Sequence, residues 1–184
     1  MAQARAGDPR GEMLERCDAR GRPLGPVPRE RCHGDPSIIH LVVHLHVVDA
    51  AGRLLLQRRG ATKDLYPGRW DTAVGGHVGA GETPAHALLR EAREELGIDA
   101  RAAVPIHSYL HSNEHEAEFV HAFRLASDGP FAANPAEVDE VRFFSAPEIR
   151  GLLGTGELTP NLEAEWARLT ESGALGSGGS PGAA

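Results

Sequence analysis

Between Ile38 and Asp49 the residues alternate in character. Ile39, Leu41, Val43, Leu45 and Val47 fall on one side, and His40, Val42, His44, His46 and Val48 on the other. A period of two is that of a β-strand. One side of this strand is wholly apolar and needs a layer packed on it; the other carries imidazoles. The run is too short, and too interrupted by histidine, to cross a bilayer, which takes about 20 apolar residues. Asp49-Ala50-Ala51-Gly52 reads as a turn and Arg53–Arg59 as a returning strand, which makes a hairpin. Trp70 to Val74, His115 to Leu125 and Val141 to Phe144 read as further strands, and about Pro84–Leu96, Ala146–Leu153 and Leu162–Leu169 as helices. Strands and helices mix without strict βαβ alternation, so the expected class is α+β, with helices on both sides of a mixed sheet.

The chain has 184 residues, 41% hydrophobic and 24% charged, which suits one globular domain. Residues 1–11 are polar without periodicity, and the C-terminal stretch is rich in Gly and Ser. The expected division is a disordered 1–11, one folded unit over 12–170, and a disordered tail over 171–184. A formal net charge of -7 argues against a nucleic-acid polymer as partner. The N-terminus has no apolar signal core, so the expectation is a cytoplasmic protein with no membrane partner. Cys17 and Cys32 are too few for a disulfide framework and form no CxxC knuckle, so any metal must be held by His and carboxylates. Sheet edges leave a homodimer open.

The chemistry concentrates in Gly75 to Ile98, GGHVGAGETPAHALLREAREELGI. Thr83 suits an N-cap, Pro84 the first helical position and Gly97 the residue past the C-terminus. At about 100° per residue, Ala85, Leu88, Leu89, Ala92 and Leu96 share one face. Glu91, Glu94 and Glu95 gather on the adjoining face through i+3 and i+4 spacing, where like charges repel. A hard divalent cation such as Mg2+ or Mn2+ is one reason to keep them together. A solvated acidic face, partly neutralised by Arg90 and Arg93, accounts for the helix alone equally well.

The preceding loop breaks that tie. Gly76, five residues, Glu82, seven residues, then Arg90-Glu91-Ala92-Arg93-Glu94-Glu95-Leu96-Gly97-Ile98 resembles the Nudix box, Gx5Ex7REUxEExGU, over its full length. Ala92 stands where the family usually has a larger aliphatic residue. The resemblance implies a Nudix-type α/β/α sandwich with a catalytic loop-helix-loop. It also implies divalent metal held by Glu91, Glu94, Glu95 and the Gly76 carbonyl, with Glu82 and Arg90 in support, and a small-molecule diphosphate as substrate.

Outside the box, most of residues 13–168 resembles the branch with type 1 isopentenyl-diphosphate isomerase and its hydrolase relatives. By that resemblance His33, His40, His77, Glu116 and Glu118 match a second metal site, Arg59 and Lys63 match phosphate contacts, and Tyr109 and Trp166 lie near pocket positions. His44 and His46 have no matching role and read as wall residues; His111, His115 and His121 read as ordinary polar residues. Two departures set the expected reaction. Gly75 stands where the isomerase has its essential cysteine and has no side chain to move a proton. Glu91 keeps a carboxylate that the isomerase has lost to Arg. Hydrolysis of a nucleoside-diphosphate-like compound is therefore expected over isomerisation or a non-catalytic nucleotide-binding role. Glu91, Glu118 and His77 remain alternatives for the general base. Specificity is expected from loops at His107–Glu116 and Phe131–Val138, with Tyr66, Trp70, Tyr109, Phe143, Phe144 and Trp166 as candidate base-stacking residues.

Overall fold

The computed structural model describes residues 11–63 and 65–173. The expectations for the two chain ends fall largely outside these residues. The elements are β1 (Met13–Cys17), β2 (Pro23–Pro28), α1 (Arg29–Cys32), β3 (Ile39–Val48), β4 (Leu54–Arg59), β5 (Trp70–Thr72), β6 (Val74–His77), α2 (Pro84–Leu96), β7 (Val104–Ser112), β8 (Ala117–Ala126), β9 (Val138–Phe144), α3 (Ala146–Leu152) and α4 (Pro160–Glu171). No helix among the described residues is long and apolar enough to cross a membrane.

The alternating run becomes β3, at the centre of a mixed sheet. It pairs antiparallel with β6 and, along its whole length, parallel with β8, whose other neighbour is β7. β4 carries β5 on one side and β9 on the other, and joins β3 at Val48↔Leu54 across the hairpin. Gly52 takes φ +77° in that turn, a conformation that favours glycine. β2 pairs only with β1, so its three prolines deprive no further ladder of a donor.

The two faces of β3 go to different layers, as the alternation requires. Leu41, Val43, Leu45 and Val47 pack with Ala87, Leu88, Ala92 and Leu96 of α2. Each buried leucine there contributes about 2 kcal/mol. Ala92, small for its place in the box, is fully buried in this core. On the other side, Val48, Leu54, Leu56 and Trp70 pack with Phe144, Ile149 of α3, and Leu162, Trp166 and Leu169 of α4. Helices thus cover both faces, and the α/β/α arrangement stands. α2 runs over Pro84–Leu96 as read from the sequence, with the Thr83 hydroxyl accepting from His86 N–H at 3.3 Å and Gly97 at φ +65°.

The structure corrects the element reading in three places. The expected strand Trp70 to Val74 is two strands, because the chain changes partner from β4 to β3 at buried Ala73. β1 and β2 precede the first strand read from sequence. Much of the segment His107–Glu116, expected as a specificity loop, is β7, paired with β8 and presenting His107, Tyr109 and His111 at alternate positions.

Candidate functional site

Helix α2 brings the box residues together around one guanidinium. Arg90 donates to both carboxylate oxygens of Glu82 at 3.1 and 2.9 Å, to Glu91 Oε1 at 2.6 Å, to Glu94 Oε2 at 3.4 Å and to the carbonyl of His77 at 2.9 Å. Glu82 also accepts the N–H of Gly79 at 3.0 Å, which closes the loop onto the helix. The three metal-ligand candidates differ in exposure: Glu94 is exposed, Glu91 half-buried and Glu95 buried. Glu95 Oε2 accepts from Gln57 Nε2 at 3.0 Å and from Gly75 N–H at 3.3 Å. Burial, reinforced by the Glu91 charge, pushes Glu95 up to about 8. Burial likewise raises Glu91 to about 7, against the pull of Arg90. Buried carboxylates that resist ionisation beside one another are what a divalent cation would relieve.

Strand β6 ties this group to a second one. Gly76 lies against the Glu91 carboxyl so closely that a Cβ would overlap it. The next residue, His77, gives its carbonyl to Arg90 and its ring to the other group. The rings of His33, His40 and His77 lie with centroids 5.3–6.1 Å apart. Each of these residues offers a ligand atom within 4.8 Å of the others, and so do His40, Glu116 and Glu118. His40 Nε2 is buried 4.0 Å from Glu118 Oε1 and makes no hydrogen bond. Burial lowers His40 to about 4, keeping its ring neutral and its lone pair available. Neutral imidazoles, carboxylates and a buried unpartnered nitrogen fit a divalent ion such as Mn2+. Glu118 is oriented by Asn161, whose amide donates to Oε2 at 2.8 Å.

Arg59 and Lys63 flank these groups, each engaged by a carboxylate. Arg59 Nη1 meets Asp71 Oδ2 at 3.0 Å and Lys63 Nζ meets Glu137 Oε2 at 2.9 Å. Lys63 opposes the rise at Glu95, and Arg59 does the same at Glu116. Tyr109 is half-buried under the Arg168 guanidinium, 4.2 Å from its ring centroid. Trp166, expected near the pocket, is a buried residue of α4 that packs with Leu162 and Leu169 of the same helix. Phe144 and Trp70 pack there too, edge to face at 4.8 Å, and are not base-stacking platforms.

Sequence reasoning missed Gln57, Asn161 and a buried cluster around Glu165. The only local signals were a polar residue in apolar β4 and the i, i+4, i+7 spacing of Asn161, Glu165 and Arg168 on α4. Gly76→Ala is expected to destabilise the fold by about 1–3 kcal/mol and to displace Glu91. Thermal unfolding would read the first effect and metal titration the second; unchanged metal affinity would mean that the close approach at Gly76 does not position this carboxylate.

The comparisons with known proteins agree with this fold and with the box on α2. A family model described as the NUDIX domain matches residues 39–165. An isopentenyl-diphosphate Delta-isomerase of Brevibacterium linens is 36% identical over 152 residues, covering 77% of this chain and 81% of that protein. A Nudix hydrolase of Pseudomonas aeruginosa, itself named as uncharacterised, is 34% identical over 149 residues, covering 81% of this chain and 86% of its own. The crystal structure of a Deinococcus radiodurans protein is similar with a TM-score of 0.75 at 26% identity, covering 85% of this chain and 98% of that one. A full-length box on a capped helix, folded against a mixed sheet between helical layers and matched over residues 39–165, places the chain in the Nudix family.

Proposed function

We propose that the protein is a divalent-metal-dependent hydrolase of a diphosphate bond in a small, nucleoside-diphosphate-like substrate. The observation that carries this reading is the role of β6: Gly76 backs Glu91 of one carboxylate group while His77 joins the imidazoles of the other. Glu91, Glu94, Glu95 and the Gly76 carbonyl would hold Mg2+ or Mn2+, and His33, His40, His77, Glu116 and Glu118 a second ion. When bound there, a divalent cation offsets diphosphate charge and polarises a phosphoryl oxygen. Arg90 fixes Glu82 and Glu91 in place. Arg59 and Lys63, exchanging Asp71 and Glu137 for substrate, would grip the phosphates. Glu91, Glu118 and His77 are the groups able to take a proton from the attacking water.

An isomerase of isopentenyl diphosphate is the rival, favoured by the His/Glu group and by the name of the Brevibacterium relative. Gly75 and Glu91 oppose it. Cys32 does not substitute for the missing thiol, because it packs in a small core with Leu14 and Val27, and burial pushes it up to about 11. The deciding assay is product release from nucleoside di- and triphosphates, nucleotide sugars, dinucleotides and isopentenyl diphosphate, with Mg2+, Mn2+ or EDTA. Metal-dependent cleavage lost in Glu94→Gln is the expected result. A fully active Glu94→Gln enzyme would sink the hydrolase, and solvent deuterium entering isopentenyl diphosphate would establish the isomerase.

A further inference from the structure

Behind β6, on the face of β3 away from α2, lies a polar cluster that the metal groups do not use. Glu165 of α4 is fully buried. Its Oε2 meets His44 Nδ1 at 2.8 Å, and its Oε1 lies 3.1 Å from His46 Nε2 and 3.4 Å from His107 Nε2. A carboxylate with no solvent stays ionised only when cations or donors surround it. Here burial opposes ionisation, and the imidazoles of His46 and His44 hold the group well below the usual carboxylate range. Reciprocally, burial disfavours charge on His44, yet the Glu165 carboxylate raises it to about 9.

The Thr72 hydroxyl lies 3.0 Å from the Leu45 carbonyl and 3.2 Å from His46 Nδ1. His46 is thereby anchored to the strand behind Glu165. In the His44–Glu165 contact Nδ1 donates to the carboxylate, which leaves Nε2 and Cδ2 on the opposite edge of the ring. That edge lies beside Gly75: a Cβ placed there would meet His44 Cδ2 at 3.7 Å and Nε2 at 3.9 Å. Glycine therefore leaves room for a methyl-sized group against this edge of the ring, and Nε2 makes no hydrogen bond among the described residues. The same Gly75 donates its N–H to Glu95, and Gly76 and His77 follow it into the two metal-ligand groups. The other charged groups felt by the ring are Glu118 from β8 and Asp71 from β5, both acidic. Across from it on β7, burial and the His44 charge lower His111, which stays neutral.

We propose that His44, its Nδ1 locked on buried Glu165, donates Nε2–H through the space over Gly75 to a phosphoryl oxygen of the substrate. This rests on the reading that a diphosphate occupies the site. An imidazole braced on a carboxylate presents its second nitrogen as a fixed donor. With Arg59 and Lys63 approaching from β4 and the loop after it, His44 would supply a cationic contact from β3. Glu165 is a positioning residue: it sets the ring's tautomer and orientation without reaching the ligand itself.

The test uses the full chain with Mg2+ and inorganic pyrophosphate as probe. In imidazole 1H–15N spectra the His44 Nε2 signal is expected to move on addition of pyrophosphate, while that of His121, on the far side of β8, stays still. His44→Gln and Glu165→Gln should each weaken pyrophosphate binding by about 10- to 100-fold, the loss expected for a charge-assisted hydrogen bond. On any substrate turned over, His44→Gln should raise KM more than it lowers kcat. Thermal unfolding checks the buried Glu165 variant for folding, and His44→Gln, at the edge of the cluster, decides the matter if that variant does not fold. Pyrophosphate affinity unchanged in His44→Gln, or no shift at His44 when pyrophosphate binds, overturns the proposal even if the enzyme is active. Pyrophosphate binding that depends on His44 supports it even if no substrate on the panel is cleaved, so its failure is separate from that of the hydrolase reading.

Discussion

Glu95→Gln will remove turnover and, in the absence of metal, make the protein more stable. The carboxyl of Glu95 is 3% exposed and accepts from Gln57 and Gly75, and a glutamine oxygen can accept both bonds. Burial and Glu91 raise it from an ordinary 4.5 to about 8, and Glu91 itself rises to about 7. A group whose folded value is raised contributes its full share below the unfolded value and loses it as pH climbs through the folded one. In EDTA, then, the wild-type protein should lose stability between about pH 5 and pH 8, by roughly 2–4 kcal/mol from Glu95. Glu95→Gln should flatten that slope. Saturating Mg2+ or Mn2+ should restore the wild type, with the gain growing toward high pH because binding competes with protons. Thermal unfolding at pH 5, 6.5 and 8, with and without metal, reads all of this. A wild-type curve that stays flat in EDTA would show that the carboxylates ionise freely without metal, contrary to the geometry.

Arg90 is expected to be the next most sensitive position. Its guanidinium satisfies Glu82, Glu91 and the His77 carbonyl at once, joining the loop, the helix and β6. Arg90→Met leaves two partly buried carboxylates without their donor. With about a third of the guanidinium side chain exposed, solvent offsets part of the loss, and a destabilisation of about 2–3 kcal/mol is expected. Turnover should fall at least about 100-fold, since Glu91 and the His77 strand lose their common brace. Arg90→Lys should recover little, because a single ammonium cannot span three acceptors in a plane. Steady-state kinetics and unfolding of both variants would check this; a Lys variant with wild-type kcat would show that charge, and not the fork, is what the site needs.

Much of the carboxylate group on α2 was legible locally. The spacing from Gly76 through Glu82 to Arg90, Glu91, Glu94 and Glu95 lies within one loop and one helix, where neighbours in sequence are neighbours in space. The limits of α2 followed from Thr83, Pro84 and Gly97 for the same reason. The second group was harder: His33, His40, His77, Glu116 and Glu118 come from separate segments, and only a family resemblance suggested that they meet. The structure brings them together because β3 pairs with both β6 and β8, setting His77 near Val42 and Glu118 beside His40.

The sequence by itself determined the period-two strand, the capped helix and the carboxylate spacing, since each is written in contacts a few residues apart. Tertiary structure alone decided the partner switch at Ala73, the burial of Trp166 of α4 in the core, and the meeting of His44 with Glu165, 121 residues further along the chain. The sequence set His44 apart from His121 only as a wall residue on the imidazole-bearing side of its strand. What separates them is which helix covers the strand, and that choice is made by the apolar residues Leu162, Trp166 and Leu169 as they bury themselves against Val48, Leu56 and Phe144.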